Sequence, residues 1–215
     1  MPVRKIKPSY RSVTGFVVTE NKEKVSFEST LERDLLILLD FDDQVKRFEE
    51  QPLRIAFEHE GKSRSYVPDV RVEFKAEAGK PTSLCEVKYR SELKEKWAEL
   101  KPKFKAAKYY AESRGERFCI LTERHIRTPY LENATFLKRY KTLPERPEQE
   151  ALLTDTLFEL REATPGLLIA AVYRDKWNQA RLLPHLWRLV ATGTIYCDLS
   201  QRVTMSSEIW LSERG

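Results

Sequence analysis

The sequence predicts an α/β protein in two parts, a mixed sheet with flanking helices and then a small helical unit closed by a hairpin. Three observations carry this. Residues up to 140 read helix, strand, strand, strand, helix, strand, helix, with a helix standing as the crossover between two strands. The stretch "KTLPERPEQE", residues 141–150, is polar and proline-rich and breaks that rhythm. Beyond it the chain turns helical and ends in "TIYCDLSQRVTMSSEIWL", two β-like runs around "LSQR". The division follows as residues 1–145 and 146–215.

Each element has its own signal. Residues 1–25 are polar and basic with weak periodicity and read as a loosely packed arm without the apolar core of a secretory signal. "STLERDLLILLDFD" reads as a helix capped by Ser29 or Thr30, with Leu31, Leu35, Leu38 and Leu39 on one face. Two strands are predicted around the turn "HEGKS", the second running on through "SYVPDVRVEF", where Pro68 implies an edge or bulge before Asp69. "LCEVKYR" follows as a strand that turns Cys85 and Val87 to one side and Glu86 and Lys88 to the other.

A charged helix comes next, with Leu93, Trp97, Leu100, Phe104, Ala107 and Ala111 at helical spacing. Pro102 kinks it or opens a second segment, and Gly115 stops it. "RFCILTE" is a strand and "PYLENATFLKRY" a helix that opens on proline. In the second part, helices are predicted over 150–162, after the Thr164-Pro165 cap with Leu167, Leu168 and Ala171 inward, and around Pro184–Thr192, ended by Gly193. Three helices and a hairpin are the order of a winged helix-turn-helix domain.

The bulk numbers narrow the function classes. Apolar residues make up 41% of the 215, enough for a packed core, and no run approaches the ~20 residues of a membrane span. The net charge of +5 is compatible with nucleic acid without requiring it. Cys85, Cys119 and Cys197 form no CxxC pair and His59, His125 and His185 are scattered, so a zinc constellation is not indicated. Reduced, buried thiols in a cytosolic protein are the plain expectation.

Asp69, Glu86 and Lys88 stand where apolar residues would pack at less cost. A strand-end Asp and a Glu on the next strand can ligate one divalent ion, and a Lys two residues on points to the same side. Such an ion and ammonium serve phosphodiester hydrolysis. Read singly, Glu32 is a helix-dipole partner, Pro68-Asp69 a turn, and Glu86 with Lys88 the solvated face of an edge strand.

"PD" at 68–69 followed by "EVK" at 86–88 resembles the PD-(D/E)XK nuclease motif. The wider wording "STLERDLLILLDFDDQVKRFEEQPLRI…YVPDVRVEF…LCEVKYR…RFCILTE" resembles the TnsA endonuclease subunit of heteromeric transposases. The resemblance covers roughly residues 25–140 in detail and continues as a nuclease followed by a winged-helix-like domain. It implies a restriction-endonuclease-like fold and a site in which Glu32, Asp69 and Glu86 hold Mg²⁺ (or Mn²⁺) and Lys88 is the catalytic lysine. Glu86 stands where members also carry an amide. The same resemblance implies cutting of double-stranded DNA at the 5′ ends of a transposon. A separate transposase subunit cuts the 3′ ends, and an ATPase regulator links both to the target.

Gln51 also fits the family wording and reads as structural. Two other functions remain open at this point: a restriction or repair-type nuclease acting alone, and a non-catalytic partner-binding module. The lysines from Lys94 to Lys108 suit either DNA phosphates or a solvated helix face. Arg181, His185 and Arg188 on the last helix could reach a groove, but Leu182, Leu183, Leu186, Trp187, Leu189 and Val190 favour core packing and protein docking. Trp177 and Trp210 are expected in the core.

Overall fold

The computed structural model describes residues 13–211. Its internal contacts divide the chain into Met1–Arg127 and Thr128–Gly215. The predicted division at 145/146 falls later, inside the second unit.

Part of the N-terminal arm, residues 1–12, lies outside the described residues. From Gly15 the arm is a hairpin instead, β1 (Gly15–Val18) antiparallel to β2 (Lys24–Phe27). Val25 and Phe27 alternate inward while Lys24 and Ser26 do not, and two inward residues are too few to show as a period. Helix α1 (Thr30–Phe41) starts as predicted at Ser29, whose side chain accepts from the Glu32 amide at 3.1 Å.

Strand β3 (Val45–Glu50, "VKRFEE") carries no apolar alternation and escapes a sequence reading; it is an edge strand with β6 as its one neighbour. β4 (Ile55–His59) and β5 (Lys62–Tyr66) form the predicted hairpin, turned at Gly61 with φ of 69°. The long second strand is in fact two. β5 ends at Tyr66, and β6 (Val70–Phe74) belongs to a different sheet. Pro68 lies between them, without an N–H to continue either ladder.

β7 (Ser83–Val87), helix α2 (Arg90–Glu112), β8 (Arg117–Leu121) and the short α3 (Glu123–Ile126) complete the unit. The main sheet runs β3-β6-β7-β8, with β7 and β8 parallel and α2 as their crossover. The helix breaks at Lys96 (φ −110°, ψ 18°), upstream of Pro102, which stays inside the helix.

The sheet is covered on both faces, and the pleat sorts the side chains. Val70, Val72, Cys85 and Val87 meet Leu31, Leu35 and Leu36 of α1 together with the β2 residues Val25 and Phe27. On the other face Leu100, Phe104 and Ala107 of α2 pack with Ile55 and Tyr66. All five residues of β7 are buried, and an interior strand cannot be the solvated edge that its charges suggest.

The second unit holds α4 (Pro129–Lys141), α5 (Pro147–Leu160), β9 (Glu162–Ala163), α6 (Pro165–Val172), α7 (Lys176–Ala191), β10 (Ile195–Cys197) and β11 (Ile209–Leu211). The Phe136 ring of α4 meets Trp187 of α7 at 5.2 Å between centroids, so α4 belongs here rather than with the sheet. The strands form one antiparallel sheet in the order β10-β11-β9.

Several local expectations change. α7 starts at the Asp175 cap, not near Pro184, which sits within it. Leu168 of α6 is buried as predicted, while Leu167 and Ala171 are exposed and Ile169 takes the second inward place. Trp177 is 73% and Trp210 38% exposed; the core tryptophan is Trp187. Among the described residues no helix is long and apolar enough to cross a membrane.

Candidate functional site

Where β5 stops and β6 begins, Asp69 is released from the ladder and set against the end of β7. Its backbone carbonyl accepts from the Gln51 amide at 2.8 Å, and its carboxylate accepts from the Val87 amide at 2.7 Å. Gln51 holds this position with a φ of 45°, a strained value for a residue with a Cβ. Its side-chain amide oxygen is buried without a partner among the described residues. The sequence reading of Gln51 as structural therefore has a definite content: it holds the backbone of Asp69.

Glu86 points from β7 toward α2, with its side chain 2% exposed. One oxygen accepts from the Tyr66 hydroxyl. The other faces two ammonium groups, Lys88 at 3.1 Å and Lys103 at 3.4 Å. Lys88, just past the end of β7, also reaches the Val87 carbonyl at 3.0 Å and Asp69 at 3.7 Å. A cavity of about 510 Å³ is lined by Asp69, Glu86, Lys88, Lys103, Tyr66 and Arg54, among others.

The electrostatics are those of acids crowded together away from water. Burial and then the charge of Glu86 push the Asp69 carboxyl well above its ordinary range, and Glu32 adds to this; Lys88 and the Val87 amide oppose it. Burial acts to lower Lys88, yet Asp69 and Glu86 together hold it above its usual value, so it stays cationic. Burial and Glu86 raise the Tyr66 phenol, which remains a donor.

Glu32 feels the same field, through Lys88 and Asp69, but both its oxygens work locally. One accepts from the Glu28 amide and the other from the Ser29 hydroxyl, both at 2.9 Å. With the Ser29 side chain accepting from the Glu32 amide, these bonds tie Glu32 to the cap at the start of α1, its carboxylate reaching the amide just before the cap residue. Burial raises the Glu32 carboxyl, and these hydrogen bonds counter it.

The structure thus brings Asp69, Glu86 and Lys88 into one cavity, which Glu28 also lines, and leaves Glu32 outside that lining, engaged at the start of α1. Among the described residues no three His, Cys, Asp or Glu side chains already form a metal cage. The donors nonetheless suit a hard divalent cation: carboxylate oxygens that repel one another at the wall of an open cavity.

Sequence reasoning missed Tyr66 and Arg54, and took in Lys103 only as one of the run from Lys94 to Lys108. Tyr66 was within reach, as an aromatic strand residue just before Pro-Asp. Nothing local marks Lys103, since Lys96 and Lys108 flank the same apolar stripe of α2. Cys85 and Cys119, distant in sequence, are paired in the parallel register with sulfurs 3.0 Å apart, and both are free.

Comparison with known families adds two matches. A family described as "TnsA-like endonuclease N terminal" matches residues 42–123, and "TnsA endonuclease C terminal" matches residues 125–199. Asp69, Glu86 and Lys88 fall inside the first match, and Glu32 precedes it. The two matches meet close to the structural division after Arg127. No curated protein matches the chain.

Proposed function

Because the chain belongs to the TnsA endonuclease family, as a transposase endonuclease subunit that acts on DNA with other transposase subunits, we propose that it makes the 5′-end cuts of a transposon by metal-dependent hydrolysis. The observation that carries this reading is the convergence of Asp69, Glu86 and Lys88 on one open cavity. The partners are double-stranded DNA at the element's ends, a transposase subunit that cuts the 3′ ends, and an ATPase regulator.

Asp69 and Glu86 would hold Mg²⁺, with Mn²⁺ as substitute. Glu32 would join them through lone pairs that its two cap bonds leave over. When bound, the ion neutralises charge on the phosphate and lowers the pKa of water at the site. Lys88, beside both carboxylates, would orient or deprotonate the attacking water, or meet the phosphate as a point charge. Tyr66 fixes Glu86 from behind, and Gln51 fixes Asp69 through the backbone. Burial of Glu86 and crowding of Asp69 raise the cost of leaving the site without a cation.

We read the second unit as winged-helix-like and as a protein-docking element. Arg188, which a groove-reading role would need, is already held by Glu145, Glu150 and the Leu143 carbonyl. Three free cysteines suit a reducing bacterial cytoplasm.

The test is 5′-end cutting in the reconstituted transposase assembly. Asp69→Asn and Lys88→Met are each expected to reduce it by roughly a hundredfold or more. Cutting at the wild-type rate by either variant refutes the assignment.

A further inference from the structure

We propose that Lys103 is a second substrate-binding cation of the cutting site, which grips a non-bridging oxygen of the DNA phosphodiester; this rests on the nuclease reading above. The two ammonium groups beside Glu86 are not equivalent. Lys88 is anchored at three points, Glu86 at 3.1 Å, the Val87 carbonyl at 3.0 Å and Asp69 at 3.7 Å. Lys103 has Glu86 as its one charged partner among the described residues, at the longer distance of 3.4 Å. One carboxylate oxygen therefore serves two cations, and Lys103 is the one with less to lose by turning away.

Its surroundings prepare it for a substrate. The ammonium lies 5.0 Å from the Tyr66 ring centroid and 5.3 Å from that of Phe104, so the side chain is laid across two aromatic faces instead of waving in solvent. That removes part of the entropy cost of ordering a lysine on a ligand. It lines the same cavity as Asp69, Glu86 and Lys88. Lys94, Lys96, Lys101, Lys105 and Lys108 of α2 are all exposed, whereas Lys103 is turned in.

A charge argument points the same way. A phosphodiester brings a negative charge to a cavity already walled by Asp69 and Glu86. Lys88 is committed to those carboxylates, which leaves Lys103 and Arg54 as the lining cations able to meet the phosphate beside a divalent ion, and of the two Lys103 is the one next to Glu86. Were Glu86 to hold a divalent ion, Lys103 would lose its carboxylate partner and its ammonium would be available to the DNA.

The experiment measures affinity of the full chain for a fluorescein-labelled DNA duplex by anisotropy, in Ca²⁺ and in EDTA, together with Mn²⁺ binding by calorimetry. Lys103→Met keeps the apolar stem over Tyr66 and Phe104. It is expected to weaken duplex binding in Ca²⁺ by about tenfold, to lower the salt slope of log K by about 1, and to have a smaller effect in EDTA. Lys103→Arg restores the affinity. Mn²⁺ binding by Lys103→Met strengthens, because a competitor for Glu86 is gone.

Wild-type duplex affinity for Lys103→Met in Ca²⁺ overturns the proposal, as does an equal loss with and without Ca²⁺ or weaker Mn²⁺ binding, both of which indicate a merely structural lysine. A wild-type chain that binds no Mn²⁺ overturns the nuclease reading itself and is told apart by that measurement.

Discussion

Each unit of this protein encloses a charge cluster, and the two differ in how completely the chain satisfies its own buried groups. In the second unit Arg188 spends its guanidinium fully: on the Leu143 carbonyl at 3.0 Å, on both oxygens of Glu150 at 3.0 Å, and on Glu145 at 2.7 Å. One planar cation meets two carboxylates, Glu150 through one nitrogen and the exposed Glu145 through another, and no cavity-lining role is left to it. In the first unit Asp69 and Glu86 share Lys88, while Lys103 and Tyr66 serve Glu86 alone; Asp69 stays well above its ordinary range, and the cluster opens on a cavity. A buried charge that its own chain satisfies is structural. One left under-compensated at an opening has room for a ligand. Fold and chemistry thus put acidic side chains to opposite uses within one chain.

The comparison breaks most visibly if Arg188 is removed. Arg188→Ala leaves the half-buried Glu150 without its cation and is expected to cost about 2–4 kcal/mol, discounted because Glu145 is 73% exposed. Chemical denaturation checks this, and loss of stability below about 1 kcal/mol would mean the closed cluster holds nothing together.

Divalent cations sharpen the contrast from the other side. At about a hundred times its dissociation constant, Mg²⁺ should stabilise the wild-type protein by about 2.7 kcal/mol and should leave Asp69→Asn unmoved. Thermal melts with and without the ion read this directly. Equal stabilisation of both proteins would place the cation elsewhere.

The smallest effect is the pH dependence of the chelated protein. The folded Asp69 carboxyl sits above its unfolded value, chiefly through burial and then through Glu86. The folded state therefore holds that proton more tightly. The stability linked to it is full below the ordinary Asp range and is lost as pH rises through the raised folded value. Asp69→Asn should flatten this part of the melting curve and, at neutral pH in EDTA, melt a few degrees above wild type. A steeper slope in the variant would show that Asp69 is stabilising as an anion.

Much of this was legible in the sequence, for reasons that differ by element. α1 announced itself through Ser29 and the Leu31–Leu35 stripe, and the structure keeps both. β7 was found, yet its charges suggested an edge strand; only the placement of β6 and β8 on either side makes it interior. β3 was invisible, because an edge strand of mixed charge has no hydrophobic period to detect. At the site, Asp69, Glu86 and Lys88 were named from their order and spacing. Glu32 was named too, and the alternative reading of it as a helix-start residue holds alongside, since Ser29 and the Glu28 amide occupy its oxygens.

What the sequence determined by itself is local: which residues can start a helix, which runs alternate, and where proline must break a strand. These follow from propensity and periodicity within a few residues. That Asp69 faces the end of β7, that Tyr66 from a separate hairpin clamps Glu86, and that Lys103 turns inward from α2 were decided only by the tertiary structure. Each joins residues about 17 or more apart, and such contacts depend on sheet order and helix placement. No local pattern of charge or hydrophobicity encodes that placement.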